Sequence, residues 1–309
     1  MKKLNLTKVV TYLVLAIFFV SIGASFYFFH VAQVRSHKSF ISSAKIVKTD
    51  PLYDYEQYFN KLPKETLWIE NGGLKQDAWY VRAKQKTDKT AVIVHGFSGS
   101  KEKMKAYGWL FHKLGYNVLM PDNIAAGKSQ GRIIGYGWND RLNLIKWTEL
   151  LVQRNHKSQI TLFGLSMGAA TVMMASGEET LPPQVHNLIE DAGYSSVWDE
   201  LKFQAKSMYN LPAFPILYEV SAISKIRAGF SYGEASSVNQ LKKNKLPILF
   251  IHGDRDTFVP TRMVYENYKA TKGPKELYLV KGADHAETFK KDKQLYEKKI
   301  KEFLQKYRK

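Results

Sequence analysis

The 309 residues contain no cysteine. That excludes a disulfide framework, a thiolate nucleophile and a cysteine-ligated zinc site, and it suits either side of a membrane. No HExxH or other compact histidine–carboxylate cluster suggests a metal, and no recognition helix, finger or RNA-binding signature suggests nucleic acid. Two glycine motifs are incomplete. Gly127-Lys128-Ser129 has Asp122 where a phosphate-binding loop needs its first glycine, and Gly135-Tyr136-Gly137 has Asp140 where a dinucleotide fingerprint needs its third. No cofactor, metal or nucleic acid is therefore expected. Acidic residues are also scarce: 46 Lys+Arg against 28 Asp+Glu leaves +18. Such a balance favours an anionic neighbour, a lipid surface or an acidic cell-wall polymer. The lysines are scattered (Lys84, Lys86, Lys89, Lys242, Lys243, Lys245), which equally describes a solvated basic surface.

Charge is missing altogether from Val9 to Phe29, 21 residues. As a helix this run is about 31 Å long, enough to cross a hydrocarbon core. A cleaved signal peptide is the rival reading. Against it, the run is long and ends in Phe26, Tyr27, Phe28 and Phe29 where small residues would be wanted. Residues 1–30 are read as a single-pass anchor of the cell membrane. Lys2, Lys3 and Lys8 favour a cytoplasmic N-terminus and an extracellular remainder, although Arg35, Lys38, Lys45 and Lys48 blur the bias.

Residues 31–65 read as a connector with some helix. From 66 to 309 short strand-like runs alternate with helical ones. The strands are Leu67–Glu70, Ala78–Arg82, Ala91–His95, Tyr116–Met120, Gln159–Phe163, Asn187–Glu190, Leu246–His252 and Leu277–Val280. The helices are Lys103–Leu114, Arg141–Gln153, Met167–Ser176 and Arg262–Thr271, with an amphipathic helix over Lys290–Lys309 that places Tyr296, Ile300, Phe303, Leu304 and Tyr307 on one stripe. The alternation predicts an α/β fold, a mostly parallel sheet covered on both faces, with an antiparallel start where no helix separates the first two strands. Residues 192–245 exceed what one helix and two loops need, and their aromatic residues predict a small helical cap.

Gly164-Leu165-Ser166-Met167-Gly168 follows a strand and opens a helix. A serine hydroxyl becomes a nucleophile when a sharp turn holds it out of the fold beside a base, and flanking glycines let the backbone pass. His285, on the loop after the last strand, is the candidate base. Its orienting acid comes from Asp254, Asp256 or Asp191. Asp256 is preferred, because Asp254 is closer to the strand end and better placed to fix the turn. Oxyanion donors are expected from the amides of Phe97, in His95-Gly96-Phe97-Ser98-Gly99, and of Met167. His95 itself reads as structural.

The order Ser, Asp, His with HGFSG upstream resembles the α/β-hydrolase superfamily over residues 66–309. The stretches Gly131–Arg141 and Ile189–Glu200 are similar to bacterial membrane-anchored hydrolases and feruloyl- or cinnamoyl-esterase-like enzymes. The resemblance implies an eight-stranded sheet, a cap after the sixth strand and no cofactor. The family's D-x-R-x-H-G-x-S segment stands here as Asp122–Ser129, with Ile124 and Ala126 replacing arginine and histidine. The expected activity is hydrolysis of a small-molecule carboxylic ester through an acyl-enzyme. Peptidase, acyltransferase and non-ester hydrolase chemistry on the same residues are alternatives, as is a catalytically silent basic protein holding anionic polymer.

Overall fold

The computed structural model describes residues 6–36 and 46–307. Lys2, Lys3, Lys38, Lys45 and the end of the C-terminal stretch lie outside them.

An eight-stranded sheet has the order β1-β2-β4-β3-β5-β6-β7-β8. Strands β1 (Glu65–Asn71) and β2 (Leu74–Val81) form a hairpin. Its two-residue turn is Gly72-Gly73, with φ of 58° and 73°, a left-handed conformation that glycine adopts without Cβ strain and that matches strand twist. β2 also runs antiparallel to β4 (Asn117–Pro121). The remaining strands are parallel: β3 (Lys89–Val94), β5 (Gln159–Leu165), β6 (Val185–Asp191), β7 (Ile248–Gly253) and β8 (Lys275–Val280). Every residue of β7, and all but one of β3, is buried, as continuous apolar runs require when helices cover both faces.

One face packs against α2 (Tyr53–Asn60), α3 (Lys105–Lys113) and α11 (Lys293–Lys306), around Phe59, Phe111, Phe163 and Phe303. The other packs against α4 (Asp140–Arg154), α5 (Met167–Ala175), α8 (Ser237–Leu241) and α9 (Arg262–Ala270), around Trp147, Val172, Phe250 and Val264. The C-terminal stretch is two helices rather than one. Asp292 (φ −147°, ψ 81°) separates α10 (Thr288–Lys291) from α11, and its carboxylate caps α11 by accepting from the Leu295 N–H at 3.0 Å. The helix expected from Lys103 likewise starts as a 3₁₀ turn, Lys101–Met104, before α3.

Between β6 and β7 stand α6 (Val197–Tyr209), α7 (Ile216–Ala228) and α8. A third cluster, with Phe29, Tyr136, Leu217, Val220 and Tyr232, joins α6 and α7 to the body. Phe29 belongs to α1 (Leu6–Gln33), which is long and apolar enough to cross a membrane. Every residue of its first half, Thr7–Val20, is exposed. From Ser21 onward it lies against α7, where Ser21 and Ser25 donate to the Glu219 carboxylate at 3.0 and 2.6 Å. Beyond residue 30 it does not open into a loose linker. The Gln33 side chain donates to Ile134 O and accepts from the Tyr232 hydroxyl, and Arg35 reaches the carbonyls of Gly127 and Ser129.

Candidate active site

β5 delivers Ser166 at the carboxyl edge of the sheet, between the strand end and the first turn of α5. Its backbone is at φ 56°, ψ −118°, a conformation costing about 1–3 kcal/mol for a residue with a Cβ. Surrounding contacts hold it there: the Ser166 N–H donates to Asp191 O at 2.7 Å, and its carbonyl accepts from Ala170. The flanking glycines are required by close approach. A Cβ on Gly164 would lie 2.1 Å from Gly168 O, and one on Gly168 would lie 2.1 Å from Val94 O.

His285, on the loop after β8, turns its Nε2 to Ser166 Oγ at 3.0 Å and its Nδ1 to Asp256 Oδ2 at 2.7 Å. The second oxygen of Asp256 accepts from the N–H groups of Phe258 and Val259 at 2.9 and 2.8 Å, so both lone-pair edges are committed and the carboxylate cannot swing. Burial raises its pKa, but hydrogen bonds from His252 and His285 outweigh that and hold it at about 2. The other two carboxylates go elsewhere. Asp254 accepts from the Gly282 N–H at 2.6 Å, pinning the turn. Asp191 is buried and accepts from Thr288 and the Tyr296 hydroxyl.

His95 is buried, which lowers its pKa. Its Nε2 accepts from the Asn123 N–H at 3.0 Å while Nδ1 lies 2.8 Å from Gly96 O; a neutral imidazole with one donor and one acceptor satisfies both. It ties β3's exit loop to the loop after β4. That exit loop passes directly beside the nucleophile: a Cβ on Gly96 would touch Ser166 Cβ at 3.3 Å. Phe97 and Met167 therefore flank Ser166 from two sides, and the Phe97 ring stacks on Tyr136 at 5.5 Å.

Sequence reasoning missed two members of the site. His252, at the end of β7, places Nε2 3.3 Å from Asp256 Oδ2 and 2.9 Å from Val259 O. Burial pulls its pKa down, but the Asp256 contact and the nearby Glu190 charge raise it overall. A histidine four residues before the chosen aspartate was the only signal. Glu200, in the first turn of α6, is the second. It lines an apolar cavity that opens beside Ser166 and encloses about 960 Å³ including its mouth. The hydroxyls of Tyr136, Tyr194 and Tyr232 on that wall are spent on Ala32 O, Tyr136 O and Gln33. Glu200 Oε1 accepts from Gln204, while the buried Oε2 has no partner. Burial raises the carboxyl to about 8, so it is protonated at neutral pH. Among the described residues no group of three or more potential ligands is arranged for a metal.

The raised Glu200 pKa has a stability consequence. The folded form keeps a proton that the unfolded chain, at 4.5, releases. Its contribution is complete below pH 4.5 and is lost as pH rises towards 8, at up to about 1.4 kcal/mol per pH unit. Glu200→Gln, an isostere of the neutral acid, is expected to flatten that slope and to melt above the wild type at pH 8. Thermal denaturation of both proteins from pH 5 to 8 checks it, and parallel curves would refute it.

Known proteins place these features in context. The family described as serine aminopeptidase, S33 matches residues 85–212. YqkD of Bacillus subtilis (strain 168), an uncharacterised protein, is 30% identical over 258 residues, 83% of this chain and 84% of its own. The Pyrococcus furiosus esterase Pf2001 superposes with a TM-score of 0.65 at 23% identity, over 86% of this chain and 98% of that one. The Pyrococcus horikoshii acylaminoacyl peptidase gives 0.62 at 17% identity over 81% of this chain and 43% of its own. Likeness at those identities speaks for the fold.

Proposed function

Because the chain belongs to the α/β-hydrolase superfamily, we propose that it is a serine hydrolase cleaving carboxylic esters, with Ser166 as nucleophile, His285 as base and Asp256 as orienting acid. The observation that carries this reading is the unbroken line from Asp256 through His285 to Ser166, at 2.7 and 3.0 Å. His285 takes the hydroxyl proton as Oγ bonds to the ester carbon, and Asp256 stabilises the imidazolium. The Phe97 and Met167 amides receive the oxyanion. Collapse breaks the C–O bond, and the alcohol leaves with the proton from His285. Water, deprotonated by the same imidazole, then releases the acid and restores Ser166.

The family description and the peptidase neighbour keep a peptidase reading in play. Glu200, whose buried Oε2 is unpaired on the cavity wall, is the acid an α-ammonium group would meet there, so aminoacyl substrates are assayed beside esters. Resemblance to feruloyl- and cinnamoyl-type esterases makes aryl-acyl esters a natural probe class.

The same proposal includes a membrane anchor. α1 supplies the span, the basic tail stays inside and the catalytic unit, with its cap at 192–245, faces outward. In support of retention over cleavage, removing α1 would strip hydrogen-bond partners from Tyr136, Tyr232 and Glu219. The basic catalytic unit then lies beside anionic lipid or wall polymer.

One experiment tests both parts. A fluorophosphonate probe applied to cells is expected to label a band of full length that sediments with membranes and disappears in Ser166→Ala. Absence of Ser166-dependent labelling of the folded protein would sink the enzyme reading in favour of a silent binder. A shortened, soluble labelled band would sink the anchor.

A further inference from the structure

The cavity beside Ser166 is walled partly by the N-terminal helix. Phe28, Val31 and Ala32 of α1 line it together with Leu217 and Val220 of α7. These residues are held in place by the Tyr136 hydroxyl on Ala32 O at 2.7 Å and by the Ser25–Glu219 contact. The helix that would hold the protein in a bilayer thus also shapes the site where the acyl group would lie.

Length gives the depth of the site. The uncharged run Val9–Phe29 is about 31 Å long, close to the roughly 30 Å of a hydrocarbon core. Only Val9–Val20, about 18 Å of it, stands clear of the body, because every residue from Thr7 to Val20 is exposed and packing begins at Ser21. The remaining 13 Å or so, Ser21–Phe29, runs alongside α7. If the run fills the core, Phe28 and the cap edge packed on it lie at the outer boundary of the hydrocarbon, the depth at which interfacial helices lie.

That edge is made for such a place. Phe214 is 74% exposed, Tyr218 56%, Tyr209 42% and Met208 39%, and Tyr209 packs edge-on against Phe28 of α1 at 5.1 Å. Met208 and Tyr209 also line the cavity. Being both lining and exposed, they mark its mouth, which therefore opens at the boundary of the hydrocarbon core.

Resting on the serine hydrolase and anchor readings above, we propose that the substrate is an ester carried by the bilayer, whose acyl chain enters from the leaflet between Phe28 of α1 and Tyr209 of the cap to reach Ser166. The route keeps the chain out of water from bilayer to cavity, and the ester itself arrives where the Phe97 and Met167 amides flank the serine.

The test uses the full chain in phospholipid vesicles. Two substrates are compared, a long-chain monoacylglycerol in the bilayer and water-soluble p-nitrophenyl butyrate. Phe214→Ser/Tyr218→Ser alters two exposed side chains that do not line the cavity. It is expected to lower hydrolysis of the bilayer ester by at least roughly tenfold, with butyrate turnover unchanged. Because the chain lacks cysteine, Phe214→Cys gives a unique site for a nitroxide. The label is expected to report hydrocarbon-like oxygen access, in contrast to one at Lys298→Cys on α11. Equal loss on both substrates, or a water-exposed nitroxide at 214, would overturn the interfacial route and leave the hydrolase reading standing. Failure of the wild type on every ester would overturn both.

Discussion

Asp256→Asn is expected to lower kcat on esters by about 10⁴-fold with KM little changed. The substitution preserves shape. Oδ1 still accepts from the amides of Phe258 and Val259, so the loop keeps its geometry. What changes is the atom facing His285. An amide NH₂ in place of Oδ2 makes Nδ1 an acceptor, which moves the ring proton to Nε2, and Nε2–H cannot take the proton of Ser166 at 3.0 Å. Asp254→Asn is the control. Asp254 accepts the Gly282 N–H through Oδ1, and an asparagine Oδ1 can do the same, so turnover is expected to stay near wild type. Steady-state kinetics on both variants decide the matter, and the reverse ranking would show that the wrong acid has been assigned.

Gly168→Ala is expected to cost stability and rate together. The new methyl would stand 2.1 Å from Val94 O and 2.8 Å from His95 O, both main-chain atoms of β3 and its exit loop that cannot rotate away. Overpacking of this kind costs about 3 kcal/mol or more. The cheapest relief is a shift of α5's first turn away from β3, which carries Ser166 and the Met167 amide with it. A displacement of about 1 Å at the reacting atoms is worth roughly 10²-fold in rate. Thermal melting and kcat measured on the same preparation check both arms. A variant with wild-type values in each would mean that the turn is not held by this contact.

How far these features could be read from the chain depended on the range of the interaction. The sheet, its antiparallel start and the helices on both faces were legible because period-2 and period-3.6 patterns are local. Parallel crossovers then send every strand's carboxyl end to one edge, so residues just after β5, β7 and β8 had to meet, and Ser166, Asp256 and His285 do lie in contact. The position of β4 between β2 and β3 was not legible, since pairing of buried strands is decided by packing across the sheet. Nor was the second imidazole on Asp256, because His252 reads as one more residue of a buried strand. The greatest omission concerned α1. Apolar residues look alike whether lipid or protein covers them, so nothing in residues 21–33 announced that they pack on α7 and reach Tyr232.

That seam between α1 and the body bears on how far the protein can be treated as modular. A foreign transmembrane helix of equal length and hydropathy would retain the catalytic unit at the bilayer, yet it would leave the Glu219 carboxylate and the Tyr232 hydroxyl without the groups they now meet. Anchor and enzyme are therefore a matched pair, and chimeras should be joined N-terminal to Ser21 rather than at the end of the apolar run.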